Sequence, residues 1–104
     1  MNDKILVVDD SEINRELLSD ILCADYEILT AEHGEDAVEK LGIYQDGIAI
    51  VLLDLQMPKL DGFGVLGAMR EHGWLERIPV LVITGEQSTV VESECFKLGV
   101  SDFI

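Results

Sequence analysis

Four oxygen-bearing side chains stand directly behind apolar runs: Asp9 and Asp10 after KILVV, Asp54 after IAIVLL, and Thr84 after PVLVI. Short apolar runs rich in Val and Ile read as strands, so each of these side chains is delivered to a strand's carboxyl end. In open α/β sheets, sites form outside the carboxyl ends where the strand order reverses. Carboxylates gathered there repel: two unit charges ~4 Å apart at an effective dielectric of ~20 interact by about 4 kcal/mol. A bound cation relieves that repulsion. Oxygen ligands without His or Cys point to a hard ion such as Mg²⁺, which takes a few carboxylates and often sits beside a phosphate. A carboxylate free to attack phosphorus in such a site forms an acyl phosphate, and Asp54 is the candidate nucleophile. Thr84 offers a hydroxyl donor to the phosphoryl group, with space left by Gly85. Taken singly, Asp10 or Asp61 is an ordinary cap or loop residue. Their company at three strand ends is what points to a site.

The elements that position these residues can be read in chain order. The run 4–9 is a strand, and Ser11 caps a helix in which Ile13, Leu17, Ile21 and Ala24 repeat at helical spacing. Leu18 and Leu22 widen that stripe, and Glu12, Arg15, Glu16, Ser19 and Asp20 form the polar side. A strand over 26–30 follows. Gly34 then precedes a short helix with Ala37, Val38 and Leu41 inside, which is expected to stop at Gly42.

The run 48–54 alternates poorly, as befits a strand covered on both faces. Pro58 shows that this strand is already over. After Asp61 and Gly62 a helix with Phe63, Leu66 and Met69 runs to about His72, Gly73 stops it, and Trp74 belongs to the connection. The run 79–84 is a fourth strand. A further helix follows, capped by Ser88 or Thr89, with Val91, Cys95 and Leu98 inside and a stop at 97–99, before SDFI begins a last strand. Strands alternating with helices predict an open parallel sheet with right-handed crossovers.

At 104 residues the chain is one domain by length, and its 48% apolar content with 6% aromatics suits an aliphatic core. The net charge of −14, from 21 acidic against 7 basic residues, argues against direct binding of nucleic acid or an anionic membrane surface. No apolar run reaches the ~18 residues of a membrane span and MNDK lacks the features of a signal peptide, so the expected location is cytoplasmic. Cys23 and Cys95 are isolated and are expected to be small buried hydrophobes. His33 and His72 form no constellation with them, and His72 suits a helix C-terminus.

With these residues in view, the chain resembles the receiver domain of bacterial two-component response regulators. The resemblance rests on VVDD at 7–10, LLDLQMPKLDG at 52–62, VIT at 82–84 and LGVSDFI at 98–104. It implies a flavodoxin-like α/β fold with strand order 2-1-3-4-5. It also implies that Asp10 and, partly through water, Asp9 hold Mg²⁺, and that the Gln56 backbone carbonyl completes the metal site with Asp54. Asp54 is then a phosphoacceptor served by a sensor histidine kinase or phosphotransfer protein. Thr84 moves toward the phosphoryl group, and Phe103 takes the place of an aromatic switch. The implied role is a switch, with self-phosphorylation and slow autodephosphorylation, and not an enzyme of sustained turnover.

The family pattern continues past DFI to a Lys-Pro pair, whereas this sequence stops at Ile104. The expectation is therefore a single receiver domain over 1–104 that is C-terminally incomplete, with the fifth strand truncated and the fifth helix absent. Lys59 lies at a position that the resemblance marks as peripheral, so it is a poor substitute for the missing lysine.

Two other readings compete. One is a receiver that acts only as an interaction or homodimerisation module, through apolar surface that a missing helix leaves exposed. The other is an Asp-nucleophile phosphatase of the haloacid dehalogenase type, which the residues disfavour: Asp54 is followed by Leu55 and Gln56, without the second acid of a DxD pair. The glycines at 62, 64 and 67 spell GxGxxG. They lie beyond Pro58 and are read as a glycine-rich helix, not a dinucleotide-binding turn.

Overall fold

Residues 3–54 and 62–83, with the backbone of 102–103, are described by the structure, a computed structural model. The β-branched and aliphatic runs form parallel strands β1 (Lys4–Val8), β2 (Glu27–Ala31), β3 (Ile48–Leu53), β4 (Val80–Val82) and β5 (Asp102–Phe103). Between them lie α1 (Glu12–Leu22), α2 (Gly34–Tyr44) and α3 (Gly62–Glu71), with a single 3₁₀ turn at Trp74–Glu76. The strand order is β2-β1-β3-β4-β5, which is the expected one. The reversal of direction falls between β1 and β3. Registers Val8↔Ala31, Val8↔Leu53 and Leu53↔Val82 bring four strands to the same level at their carboxyl ends. β5 pairs with β4 through Leu81↔Asp102 and Val82↔Phe103.

Among the described residues, one sheet face is covered by α2 and α3. Leu6, Val8, Val51 and Leu53 from the sheet meet Ala37 and Leu41 of α2 and Val65, Leu66 and Met69 of α3. Each large aliphatic side chain removed from water there contributes about 1.5–3 kcal/mol before entropy is set against it. The expected inner residues Ala37, Leu41, Leu66 and Met69 are buried; Val38 and Phe63 are partly so. Gly73, at φ 75°, ends the α3 segment as anticipated, because a left-handed residue is readily supplied by glycine. His72 follows the helix and stacks on Trp74, with ring centres 4.5 Å apart.

Several expectations are corrected. The Ile13, Leu17, Ile21 stripe of α1 faces outward, with Ile13 76% and Ile21 64% exposed. The less exposed residues of α1 are Arg15, Leu18, Ser19 and Leu22, an i, i+3, i+4, i+7 set rotated around the helix from that stripe. Leu18 and Leu22 pack on Ile5, Val7 and Leu52. Arg15 and Ser19 therefore leave the polar side to which their chemistry assigned them.

α2 runs through Gly42 to Tyr44, because tertiary contacts outweigh the weak helix propensity of one glycine. A Cβ at Gly42 would lie 3.9 Å from the Trp74 ring. Trp74 is a buried member of the core and not merely a connection. Cys23 is exposed, since it falls at the C-cap of α1. The shorter β4 begins at Val80 and ends at Val82. The expected fourth helix, read on Ser88, Thr89, Val91, Cys95 and Leu98, falls on residues outside the described ones.

Candidate functional site

The ladder extends one residue past each strand and sets the site. The Asp9 amide donates to the Ala31 carbonyl (3.0 Å), the Asp54 amide to Val8 (2.9 Å) and the Ile83 amide to Leu53 (2.8 Å). Asp9 and Asp54 are thereby fixed side by side at the edge where the sheet order reverses. Asp10 follows Asp9 into the turn before α1. One carboxylate oxygen from each of Asp9, Asp10 and Asp54 lies within 4.8 Å of the others. Asp9 is buried, Asp54 half-buried and Asp10 exposed. Among the described residues, no other grouping of three His, Cys, Asp or Glu side chains has such geometry.

The N-terminus of α1 holds this edge in place. The Ser11 hydroxyl accepts from the Asn14 amide (3.3 Å), the cap read from the sequence. The Asp9 carboxylate is tied into the same turn: Oδ1 accepts from the Ser11 amide at 2.9 Å, and Oδ2 from Asn14 Nδ2 at 3.3 Å. Arg15 donates from Nη1 to the Asp9 backbone carbonyl at 2.7 Å, and its Nη2 lies 4.0 Å from Glu32. Asn14 and Arg15 were not singled out from sequence. The available signal was their distance from the acidic pair: a polar residue one turn into a helix that starts beside two aspartates can reach back to them.

At ~4.8 Å and an effective dielectric of ~20, each carboxylate pair repels by about 3.5 kcal/mol before screening. Hydrogen bonds to Asp9 offset part of this. An all-oxygen set of this charge fits a hard divalent cation, which takes oxygen ligands from few carboxylates and retains water.

Of the residues expected at the site, Asp9, Asp10 and Asp54 are brought together. Gln56, Lys59, Asp61, Thr84 and Gly85 lie outside the described residues, as does the side chain of Phe103. Gly62, Gly64 and Gly67 all lie within α3. The GxGxxG spelling is therefore helix and forms no phosphate-cradling turn after a strand. No helix among the described residues is long and apolar enough to cross a membrane.

The family model described as "Response regulator receiver domain" matches residues 5–104. A probable cyclic di-GMP phosphodiesterase of Vibrio cholerae is 37% identical, over 96% of this chain and 22% of that protein. A two-component response regulator of Oryza sativa is 34% identical, over 97% of this chain and 48% of that protein. The chain thus spans about a fifth to a half of the length of these relatives. Among solved structures, the CheX-CheY-BeF3-Mg²⁺ complex from Borrelia burgdorferi matches with a TM-score of 0.90 and 32% identity, over 97% of this chain and 75% of that one.

Proposed function

The chain belongs to the response regulator receiver family, and from that premise we propose that it accepts a phosphoryl group on Asp54 in a Mg²⁺-dependent reaction and relays the change to a signalling surface. The observation that carries this reading is the convergence of Asp9, Asp10 and Asp54 oxygens within 4.8 Å at the carboxyl edge of the sheet. Asp10, Asp54 and, partly through water, Asp9 would hold Mg²⁺, with the backbone carbonyl of Gln56 as a further ligand. When bound, the ion neutralises charge on the phosphoryl oxygens. The Mg²⁺ in the related Borrelia burgdorferi complex supports the choice of ion.

Each residue has a distinct task. The Asp54 carboxylate oxygen attacks phosphorus as the P–N bond of a phosphohistidine breaks; the departing ring nitrogen keeps the electron pair, and a proton already on the other ring nitrogen lets the donor leave as neutral imidazole, with an acyl phosphate left on Asp54. Asp9, held by Ser11 and Asn14, keeps its charge directed at the metal position. Thr84 donates its hydroxyl to the new phosphoryl group. The donor is a sensor histidine kinase or phosphotransfer protein of the cytoplasm, and residues 1–104 act as one receiver domain. This is a switch that carries the group, without sustained turnover of phosphate esters.

Incubation with acetyl phosphate and Mg²⁺ followed by intact-mass analysis tests the reading. A gain of about 80 Da that maps to Asp54 and vanishes in Asp54→Ala is expected. A gain that persists in Asp54→Ala, or none in the wild type, overturns it.

Self-association is a second reading, favoured by one feature. An apolar groove of about 530 Å³, lined by Ile5, Leu18, Leu22, Ile50, Leu81 and Ile83 among others, lies beside α1. A monomer at every concentration in sedimentation equilibrium removes that reading.

A further inference from the structure

Arg15 occupies a place that the phosphoryl chemistry does not use. α1 turns it toward the sheet with Leu18 and Leu22, and its side chain is only 16% exposed. One arm donates to the Asp9 carbonyl at 2.7 Å, while the other lies 4.0 Å from Glu32, just beyond β2. That carbonyl belongs to the peptide that joins Asp9 to Asp10. A single charge-assisted hydrogen bond therefore acts on the plane from which both acidic side chains spring.

We propose that Arg15 is a positioning residue for divalent-cation binding: it fixes the Asp9–Asp10 peptide so that both carboxylates face the metal position together with Asp54. This inference rests on the reading that these carboxylates hold Mg²⁺. Its content is a sign. A guanidinium close to carboxylates repels an incoming cation, so an Arg15 that acts by charge alone makes Arg15→Ala bind Mg²⁺ more tightly. A positioning Arg15 makes the same variant bind more weakly, as loss of groups that orient metal ligands does by about 10- to 100-fold.

The test is calorimetric titration of MgCl₂ into the full chain as wild type, Arg15→Ala, Arg15→Lys and Asp54→Asn, with the Asp10 amide nitrogen followed by NMR. The Asp10 amide shares its peptide with the Asp9 carbonyl, so its shift reports the hydrogen bond itself. Arg15→Ala is expected to weaken Mg²⁺ binding about tenfold and to move the Asp10 resonance before metal is added. Arg15→Lys, whose ammonium still reaches toward the carbonyl from one point, is expected to recover the resonance and to weaken binding less than Arg15→Ala does.

Unchanged or tighter binding in Arg15→Ala overturns the inference, as does weakening with an unmoved Asp10 amide. Should Arg15→Ala not fold, Arg15→Lys decides alone: binding equal to or tighter than wild type overturns the proposal. Wild-type binding that is lost in Asp54→Asn but unaltered in Arg15→Ala removes this inference and leaves the carboxylate reading intact. A wild-type chain that takes up no Mg²⁺ removes both.

Discussion

The two edges of the sheet differ in how they arrange charge. At the amino edge the Lys4 ammonium lies 3.3 Å from Asp3 and 3.2 Å from Glu27, and the Arg77 guanidinium lies 3.6 Å from Asp46. Gln45 joins the ends of two crossovers there: its Oε1 accepts from the Trp74 indole at 3.1 Å and from Arg77 at 2.6 Å. At the carboxyl edge three carboxylates crowd within 4.8 Å, and Arg15 gives its shortest hydrogen bond to a backbone carbonyl. The amino edge follows the ordinary rule that polar groups find partners of complementary charge. The carboxyl edge gathers like charges as well, and such gatherings concentrate where a ligand completes the structure.

That contrast can be broken from either side. The largest effect is expected at the amino edge. Trp74→Ala removes a buried ring and its hydrogen bond and should lower stability by about 3–5 kcal/mol, read from urea denaturation. A loss under about 1 kcal/mol would show that the core does not depend on this edge. Gln45→Ala strands the Trp74 indole N–H, at a cost of about 1–2 kcal/mol. Gln45→Glu, which restores an acceptor, should recover most of the loss.

Removal of charge at the carboxyl edge should act with the opposite sign. Without Mg²⁺, Asp10→Asn is expected to raise stability by about 0.5 kcal/mol, most of the Coulomb repulsion being screened at this exposed position. The gain should shrink as salt is added. A fall in stability at every salt concentration would show that Asp10 already has a favourable place in the metal-free fold.

The smallest effect concerns pH. Hydrogen bonds to Glu27 first, and then to Asp3, raise the Lys4 ammonium above its ordinary value of 10.5. Because the folded value is the higher one, the stabilisation is fully present below 10.5 and is lost as pH rises through the folded value. The stability difference between wild type and Lys4→Met should therefore narrow only in alkaline solution. A difference that stays constant through that range would show that Lys4 acts by packing alone.

Much of this architecture was legible because the strands end where polar residues begin. KILVV before Asp9 and IAIVLL before Asp54 placed both carboxylates at one edge, and the order of strands came from the family resemblance, not from periodicity. Ile13, Leu17 and Ile21 keep helical spacing on a face next to the one that packs, and hydrophobicity alone cannot choose between adjacent stripes of one helix. Charge alone places Arg15 in solvent, although it stands three and seven residues before the two leucines that pack inward. Gly42 resembled a stop because propensity is local, whereas contacts of α2 with the core carry the helix past it. Cys23 resembled a small core residue until the end of α1 left it in solvent.

Three carboxylates within 4.8 Å of one another at the carboxyl edge lead to the expectation that a divalent cation stabilises the fold. The thermal midpoint measured against Mg²⁺ concentration, for wild type and Asp54→Asn side by side, checks that expectation. The wild-type midpoint should climb with Mg²⁺ as binding to the folded state alone requires, while that of Asp54→Asn stays nearly flat. A wild-type midpoint indifferent to Mg²⁺, or an equal climb in the variant, would show that these carboxylates do not hold the ion.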